Sequence, residues 1–425
     1  MSLFDTNVLL RRRDALAAAW RDEPAIVLVH AGEPISIPGG QDQTYDFVPH
    51  PEYYWLTGSD RWGGVLAFER ESGFLHFVRP VDSAERLWEG EPDVPEGRDR
   101  GELENWLAER GDRDVAWLGQ PPTSGGPRRE LERRLRNKLD SVRRPKDAAE
   151  IEHLCGAVRA TVAGHAKARE MIRPGVTERA VQIELEAEMF RHGATGTGYG
   201  SIVGAGTRAA VLHSTPGARV IAPGELVLVD AGAQIRGYTA DVTRTYPAGE
   251  RFDAEQQAIY DVVLAAELAG IEACRAGTEW HDVHRRSAEV LAAGLVDLGV
   301  LRGSVDGLLE SGAIALFFPH GIGHMVGLGV RDVGGRLAGR PEGRRCCGAR
   351  VRVDLPLEEG FLMTIEPGLY FVPALLDDPM NRRTYADAVA WDALERWIPV
   401  GGVRIEDNIL VTAEGPRNLT SEISK

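Results

Sequence analysis

The sequence ELVLVDAGAQIRGYTADVTRTYP, residues Glu225–Pro247, predicts a β-hairpin near the middle of a chain of 425 residues. Its first part, Leu226–Val229, is strongly strand-forming, and Tyr238–Tyr246 is rich in β-branched and aromatic residues. Between them, Gln234–Gly237 supplies a turn, since its glycine adopts positive φ without steric cost. The stretch therefore reads as two antiparallel strands joined by a tight turn.

This predicted hairpin carries two aspartates. A turn centred near Ile235 and Arg236 places Asp230 and Asp241 opposite each other, with Cβ atoms roughly 5 Å apart. Two carboxylates in a mostly apolar hairpin repel each other, and their burial is unfavourable unless a positive charge lies between them. A divalent cation is the interpretation that we favour. The alternative is that one aspartate caps the turn and the other is exposed.

Two later regions carry side chains that complete a candidate metal site. His320 and His324 lie in PHGIGHMVGLG, where the glycines argue against a helix and so against the helical two-histidine zinc motif. Glu366 ends a strand-like run, and Glu406 lies in VRIEDNILV on the same strand face as Arg404. Taken singly, each histidine could be structural and each glutamate could be an exposed strand charge.

Taken together, these acidic and imidazole side chains are sufficient for two metal ions. Hard oxygen donors with a single imidazole suit Mn²⁺ and are compatible with Co²⁺, Fe²⁺ and Zn²⁺. Two such ions about 3.5–4 Å apart activate a bridging water and stabilise the oxyanion that it forms. The sequence therefore predicts a hydrolytic site built from Asp230, Asp241, His324, Glu366 and Glu406.

Composition restricts the partners and the compartment. The chain has 49 basic and 64 acidic residues and a formal net charge of −15, which argues against a nucleic-acid partner because phosphate binding needs basic patches. No run of residues resembles a targeting signal or a membrane span. The four cysteines include an adjacent pair, Cys346 and Cys347, but no CxxC spacing. We expect a reduced, cytoplasmic protein with no membrane partner.

The length of the chain predicts two domains. The first third contains three strand-like runs, Ala25–His30, Gly64–Phe68 and Phe74–Val78. With a predicted helix over Pro127–Leu139, these runs indicate a small α/β domain. The basic, proline-containing stretch SVRRPKD, residues 141–147, marks a boundary near residue 145. The predicted domains are therefore 1–145 and 146–425.

The second predicted domain alternates helices with strand-rich regions. The helical patterns cover residues 148–171, 178–193, 254–276 and 281–298. Each pair of helices is followed by a glycine- and strand-rich region of antiparallel character. This order, repeated twice, predicts an α+β domain with two related halves.

The set DAG…ADVTRT, HGIGH, TIEPG and VRIED resembles the metal site of the M24-type "pita-bread" metallopeptidases. That group includes methionine aminopeptidase, aminopeptidase P, prolidase and creatinase. The resemblance covers about residues 145–420 and extends more weakly over the N-terminal domain. It implies a pita-bread catalytic domain preceded by a smaller α/β domain of the creatinase and prolidase type.

The resemblance also implies roles for the predicted ligands. Asp230 would chelate one metal ion, and Asp241 and Glu406 would bridge both. His324 and Glu366 would bind the other ion, and Glu366 would take a proton from the bridging water. By the same resemblance, the substrate would be contacted by His213 in AVLHST, His320 and Arg404.

Two arginines bear on substrate choice. Arg352, in GARVRVDL, matches the prolidase arginine that binds the C-terminal carboxylate of a dipeptide, as a guanidinium fork can. The alternative is a surface arginine in an arginine-rich loop. Arg331, in GVRDVGG, stands where prolidases and aminopeptidases P usually carry a substrate-contacting histidine. An arginine there cannot shuttle a proton at neutral pH, but it can polarise the scissile carbonyl or bind a carboxylate.

Within the family, the N-terminal domain argues against a plain methionine aminopeptidase. Arg352 and the insertion Val372–Pro399 favour an Xaa-Pro dipeptidase that acts on proline-containing dipeptides, and the N-terminal domain would help to form a homodimer. The nearest alternative is an Xaa-Pro aminopeptidase that acts on longer peptides, and a creatinase-like hydrolase is a third. A non-catalytic binding protein on the same fold is the alternative from another class, although such relatives usually lose metal ligands.

Overall fold

A computed structural model describes residues 4–120 and 129–425. The chain divides into two compact units, Met1–Arg143 and Arg144–Lys425, here called the N-terminal and C-terminal units. Among the described residues, no helix is both long enough and apolar enough to span a bilayer.

The N-terminal unit is built on one mixed sheet of five strands in the order β4-β3-β2-β1-β5. Strand β1 pairs with β5 in parallel and with β2 in antiparallel orientation. Its sequence IVLVH is buried along its whole length, as expected for a central strand. The helices are α1 Thr6–Trp20, α2 Pro51–Thr57, α3 Ser83–Glu89, α4 Leu103–Ala108 and α5 Arg129–Arg143, and the strands are β1 Ile26–His30, β2 Val65–Glu69, β3 Gly73–Val78, β4 Arg98–Asp99 and β5 Val115–Gly119.

The predictions for this unit agree closely with these elements. The three predicted strands are β1, β2 and β3, each displaced by no more than one residue at either end. The helix predicted over Pro127–Leu139 is present from Arg129 as α5. Residues 127 and 128 lie outside the described part of the chain.

The C-terminal unit contains two long helical pairs and several short antiparallel sheets. The main sheets have the orders β10-β9-β6, β11-β8-β7, β16-β19-β20 and β17-β18. The helices are α6 Ala148–Met171, α7 Glu178–Arg191, α8 Ala254–Ala273, α9 Trp280–Asp297, α10 Val305–Glu310, α11 Pro373–Leu376 and α12 Pro379–Thr384. The strands are β6 Gly196–Thr197, β7 Ile202–Ala205, β8 Leu226–Asp230, β9 Ala233–Ile235, β10 Tyr238–Thr239, β11 Thr243–Pro247, β12 Gly335–Arg336, β13 Arg345–Cys346, β14 Ala349–Arg350, β15 Val353–Asp354, β16 Leu362–Ile365, β17 Gly368–Tyr370, β18 Gly402–Arg404, β19 Asp407–Thr412 and β20 Gly415–Asn418.

The two helical pairs start in the same way. Asp147 and Glu150 form a capping box at the start of α6, and Asp253 and Gln256 form another at the start of α8. In each, the aspartate side chain accepts a hydrogen bond from a backbone N–H three residues later, and the longer side chain accepts one from the aspartate N–H. Helix α6 packs on α7 and α8 packs on α9. The repeated order of capped helix pair and antiparallel strands matches the two related halves expected from the sequence.

The hairpin of residues 226–247 is present, but its register differs from the prediction. Thr243 pairs with Asp230, and Thr239 pairs with Gln234. The turn consists of Arg236 and Gly237, both at positive φ (50° and 89°), which is a two-residue hairpin turn of type I′. The prediction placed the turn one residue too early. Asp241 is consequently a diagonal neighbour of Asp230 on the same face rather than its direct partner.

A buried arginine joins the hairpin to the second half of the unit. Glu406 N–H donates to Thr243 O (3.0 Å), and the Arg244 guanidinium donates to both Thr243 O and Glu406 O (3.0 and 2.8 Å). Arg244 also forms an ion pair with Asp407 at 2.7 Å, and both side chains are fully buried. Removing one partner of such a pair typically costs about 3–5 kcal/mol, because the other charge is left uncompensated.

Gly232 provides a test of the close packing inside the hairpin. A Cβ added at Gly232 would lie 1.7 Å from Ala240 O and 2.6 Å from Ala240 C, both backbone atoms that cannot rotate away. We expect Gly232→Ala to lower the free energy of unfolding by about 3 kcal/mol. Denaturant unfolding in the presence of a chelator measures this effect without a contribution from bound metal. Gly249→Ala is the matched control, because no atom lies within 4 Å of its added Cβ; an equal loss in the control would contradict the packing explanation.

Candidate active site

A cavity of about 440 Å³ opens in the C-terminal unit. It brings together side chains that are far apart in sequence, on the hairpin, the glycine-rich loop and three later strands. Every predicted site residue lines it: His213, Asp230, Asp241, His320, His324, Arg331, Arg352, Glu366, Arg404 and Glu406.

The predicted ligands converge at the bottom of this cavity. One ligand atom from each of Asp241, His324 and Glu406 lies within 4.8 Å of the other two. His324 Nε2 lies 3.4 Å from Asp241 Oδ2 and 3.8 Å from Glu366 Oε1. Asp230 reaches the same group through a shared hydroxyl partner, described below. The structure thus gathers all five predicted ligands in one largely buried cluster.

The glycine-rich loop brings His324 close to strand β16. His324 N–H donates to Thr364 Oγ1 (3.0 Å), and Thr364 N–H donates to His324 O (2.8 Å). A Cβ on Gly323 would lie 2.0 Å from Thr364 O, so only glycine allows this approach. Glu366 follows β16 directly and therefore lies next to the imidazole.

The tautomer of His324 follows from its hydrogen bond. Its Nδ1 lies 3.0 Å from Met325 O, which accepts but cannot donate, so Nδ1 carries the proton. The Nε2 lone pair is then directed at the oxygens of Asp241 and Glu366. Although burial opposes a charge on the ring, the contact with Asp241 raises the pKa of His324. Electron pairs that face each other in this way need a cation between them.

The charges of the cluster point to the same conclusion. Burial raises the pKa of Asp230, Glu366 and Glu406, and repulsion from Asp241 adds to the increase for Glu406. Arg404 offsets one charge through an ion pair with Asp230 (2.6 Å). Because Arg404 offsets one charge among four carboxyl groups, the buried cluster keeps an excess of negative charge. Carboxylate oxygens and one imidazole nitrogen are a donor set that fits divalent cations.

Tyr199 is a site residue that the sequence analysis missed. Its hydroxyl lies 2.6 Å from Asp230 Oδ1 and 2.5 Å from Asp241 Oδ1, and its single proton is shared between them. Burial, followed by the charge of Asp230, raises the pKa of Tyr199, so the hydroxyl stays protonated. Its position could have been found from strand pairing, because Ile202 pairs with Asp230 and Tyr199 precedes Ile202 by three residues.

Asn408 is a second missed residue. Its amide group pairs with the backbone of Asp241: Asp241 N–H donates to Asn408 Oδ1 (3.0 Å), and Asn408 Nδ2 donates to Asp241 O (2.5 Å). Both backbone groups of a predicted bridging ligand are therefore held by one side chain. Thr243 Oγ1 similarly donates to Glu406 Oε2 at 2.7 Å.

The side chain of Arg404 is buried and is already hydrogen-bonded to other protein groups. Its guanidinium donates to Asp230, to Thr243 Oγ1 (2.9 Å) and to the hydroxyl of Tyr370 (2.9 Å). This geometry supports a role in positioning Asp230. Direct contact between Arg404 and a substrate stays a prediction.

His320 lies at the end of the same chain of hydrogen bonds. Its Nδ1 bonds to Gly321 O and its Nε2 to the Tyr370 hydroxyl, each at 2.9 Å. Because Gly321 O can only accept, Nδ1 carries the proton and Nε2 accepts from Tyr370. Burial, assisted by the charge of Arg404, lowers the pKa of His320 to about 3, so the ring is neutral.

The outer part of the cavity is cationic. His213, Arg331 and Arg352 are exposed there. Within residues 4–120 and 129–425, neither guanidinium forms a hydrogen bond or an ion pair. Burial, followed by the charge of Arg331, lowers the pKa of Arg352. Two unpaired arginines next to an acidic cluster can attract an anionic or carbonyl group of a ligand.

Comparison with known proteins places the chain in a family. Residues 152–413 match the model described as "Metallopeptidase family M24", and residues 9–100 match "Aminopeptidase P, N-terminal domain". The chain belongs to metallopeptidase family M24. The prediction of a metallo-exopeptidase is confirmed, and with it the expectation that divalent metal ions are bound.

Several relatives of this M24 enzyme are described as Xaa-Pro aminopeptidases. A probable Xaa-Pro aminopeptidase of Botryotinia fuckeliana is 30% identical over 400 residues, which cover 90% of this chain and 86% of that protein. One of Podospora anserina is 32% identical over 390 residues, covering 87% and 84%. The structure of Pseudomonas aeruginosa aminopeptidase PepP is 30% identical, with a TM-score of 0.81, and the similarity covers 100% of this chain and 97% of that one. The predicted pita-bread fold with a preceding α/β domain is confirmed.

Asn408 allows a test of how this M24 enzyme holds its metal ions. We expect Asn408→Ala to weaken Mn²⁺ binding about 10–100-fold, because the backbone of Asp241 loses both hydrogen bonds to the Asn408 amide group. Competition with a fluorescent chelator measures the affinity, and circular dichroism checks the fold. Asn418→Ala is the matched control, since Asn418 contacts Asp407 and Thr420 but not Asp241. Equal affinities in the two variants would exclude a positioning role for Asn408.

Proposed function

We propose that this M24 enzyme is an Xaa-Pro aminopeptidase, which releases the N-terminal residue from peptides with proline in second place. The observation that carries the proposal is similarity over almost the whole chain. The relatives named above are aligned over about nine-tenths of it, and the Pseudomonas aminopeptidase structure covers both units. This evidence favours the aminopeptidase alternative over the dipeptidase that the sequence led us to expect.

The metal-binding roles in this proposal are those of the five converging residues. Asp230, Asp241, His324, Glu366 and Glu406 would hold two divalent cations, with Mn²⁺ best suited to the donor set and Co²⁺, Fe²⁺ or Zn²⁺ compatible with it. When bound, such a pair polarises the scissile carbonyl and lowers the pKa of water at the site. The three neutral donors around the cluster, Tyr199, Thr243 and Asn408, would fix the orientation of these carboxylates.

Glu366 is the residue that would move a proton. Its carboxyl group lies at the edge of the cluster, partly accessible from the cavity, and burial raises its pKa. A carboxylate with a raised pKa can accept a proton from the attacking water and then deliver it to the leaving nitrogen. That delivery lets the proline nitrogen leave as a neutral amine rather than as an amide anion.

His213 and Arg331 would also act on the substrate. Both line the cavity and are exposed. His213 can donate a hydrogen bond to the oxyanion of the tetrahedral intermediate. Arg331 would supply a fixed positive charge, since arginine does not exchange protons at neutral pH.

Arg352 keeps the Xaa-Pro dipeptidase as a second candidate. Its unpaired guanidinium could bind the C-terminal carboxylate of a dipeptide bidentately. The insertion Val372–Pro399 no longer supports that candidate. Leu376, Leu394 and Trp397 of this segment are buried in the core, and none of the residues that line the cavity comes from it. The homodimer and the cytoplasmic location stay predictions from the sequence.

A panel of peptides tests the proposed function. With Mn²⁺-loaded protein, we expect release of the first residue from Ala-Pro-Ala, with kcat/KM at least about tenfold above that for Ala-Pro, or about 1.4 kcal/mol in transition-state binding. Ala-Ala-Ala should resist cleavage. Glu366→Gln must abolish release, which excludes a contaminating peptidase. Preference for Ala-Pro would establish the dipeptidase instead, and resistance of every Xaa-Pro peptide would refute both.

Arg352→Ala measures how much of the binding depends on a substrate carboxylate. We expect kcat/KM for Ala-Pro to fall at least about tenfold, because a charge-assisted hydrogen bond contributes about 1.5–3 kcal/mol. The value for Ala-Pro-Ala should change less than about threefold. Arg350→Ala is the control, as this exposed arginine lies two residues away and outside the cavity. A large loss on the tripeptide would show that Arg352 also binds longer substrates.

A further inference from the structure

Cys346 and Cys347 occupy an unusual hairpin away from the metal cluster. Strands β13 and β14 pair Arg345 with Arg350 and Cys346 with Ala349, which leaves Cys347 and Gly348 as a two-residue loop. Both loop residues have positive φ, 50° and 82°. Glycine and asparagine normally occupy such positions, and a cysteine there is strained. A strained residue in a short loop is a reason to look for a function.

The strained turn brings the two sulfur atoms together. Successive side chains of a strand point to opposite faces, but here the chain turns at Cys347 and the Sγ atoms lie 3.7 Å apart, at contact distance. Both cysteines are partly exposed. The pair is therefore not enclosed in the core.

The surroundings of the pair favour a thiolate. One ring nitrogen of the fully buried His284 lies within 4.8 Å of both sulfurs. His284 Nδ1 accepts a hydrogen bond from Ile322 N–H (3.1 Å), so the ring proton is on Nε2. A hydrogen bond from Cys347 lowers the pKa of Cys346 against the effect of burial, and His281 and Arg285 lower it further.

The tautomer of His284 also indicates which chemistry the pair can perform. A metal ion would need a lone pair on the imidazole, yet Nδ1 is engaged by Ile322 and Nε2 carries the proton. His284 is therefore not suited to bind a metal ion together with the two sulfurs. The two adjacent sulfurs, which share a proton, are suited instead to thiol–disulfide exchange.

We propose that Cys346 and Cys347 form a redox-active vicinal dithiol, which reacts with small-molecule disulfides and whose closure displaces Arg352. The Cys346 thiolate attacks one sulfur of the small disulfide, forming a mixed disulfide and releasing one thiolate. The Cys347 sulfur then attacks the Cys346 sulfur, loses its proton to the solvent and releases the second thiolate. The two cysteines are oxidised to a disulfide, and the external disulfide is reduced to two thiols.

The other two cysteines lack these features and serve as internal controls. Cys274 is buried, and burial raises its pKa to about 12, so it reacts slowly. Cys155 is partly exposed, but it lies on helix α6 without a second sulfur in contact.

The route from the dithiol to the cavity is short. The outgoing strand β14 ends at Arg350, two residues before Arg352. A Cβ on Gly321 would lie 3.2 Å from Arg350 O, so the loop between His320 and His324 packs directly against this strand. Closing the disulfide shortens the sulfur separation from 3.7 Å to about 2.0 Å, and the backbone of the hairpin must follow. We expect the displacement to weaken substrate binding, which rests on the proposed function.

The test uses the full-length, Mn²⁺-loaded protein and glutathione disulfide. We expect intact-mass analysis to show loss of two hydrogens, peptide mapping to place the bond between Cys346 and Cys347, and dithiothreitol to reverse it. Cys347→Ser should stop at a glutathione adduct on Cys346, and Cys155→Ser should behave as the wild type. On Ala-Pro, the substrate whose binding depends on Arg352, the oxidised wild type should show a KM raised about threefold or more with little change in kcat, and Cys347→Ser without oxidant should keep the wild-type KM.

Three results would overturn the proposal. Thiols at 346 and 347 that stay unmodified while Cys155 reacts would show that the pair is not reactive. A wild-type protein that stops at the mixed disulfide, as Cys347→Ser does, would show that the ring does not close. A closed disulfide with an unchanged KM would refute the displacement of Arg352. The first two results come from mass measurements, which do not depend on whether the protein cleaves Xaa-Pro peptides.

Discussion

Mutual repulsion among four carboxyl groups controls the centre of the C-terminal unit. Asp230, Asp241, Glu366 and Glu406 are held close together where water cannot screen them effectively. Among the residues that the structure describes, only one of the four has an arginine as a direct partner, Arg404 on Asp230. The excess negative charge makes the cavity a strong site for divalent cations and a poor one for neutral ligands. The fold has to hold this arrangement together before any metal ion binds.

Two kinds of support meet this requirement. Next to the carboxylates, neutral donors orient the acids without cancelling their charge: the hydroxyls of Tyr199 and Thr243 and the amide of Asn408. One layer behind them, Arg244 and Asp407 form a fully buried ion pair that joins the two halves of the unit. Charge is therefore balanced behind the site and left unbalanced inside it. That separation allows a rigid scaffold and a charged cavity to coexist.

The sequence predicted the features that depend on local signals. The long helices have clear starts and periodic faces, and the five acidic and imidazole residues lie in short, recognisable motifs. The hairpin register was missed because the turn requires Arg236 at positive φ, a conformation that residue preferences assign to glycine or asparagine. Tyr199 and Asn408 were missed because their partners are distant in sequence. Tyr199 lies 31 residues from Asp230, and Asn408 lies 167 residues from Asp241, so only the folded chain brings them together. The choice between dipeptide and longer peptide could not be derived from the sequence, because Arg352 has no hydrogen-bond or ion-pair partner among the described residues that would define its role.

The two-residue turn at Arg236 and Gly237 also restricts how the chain can change in evolution. Side chains alternate between the two faces of a strand. One inserted or deleted residue therefore moves every later side chain of that strand to the opposite face of the sheet. A single-residue change in loop length here would turn Asp241 away from Asp230, whereas many substitutions would leave the pairing intact. Between these two aspartates, strand pairing therefore constrains the number of residues more strictly than their identity.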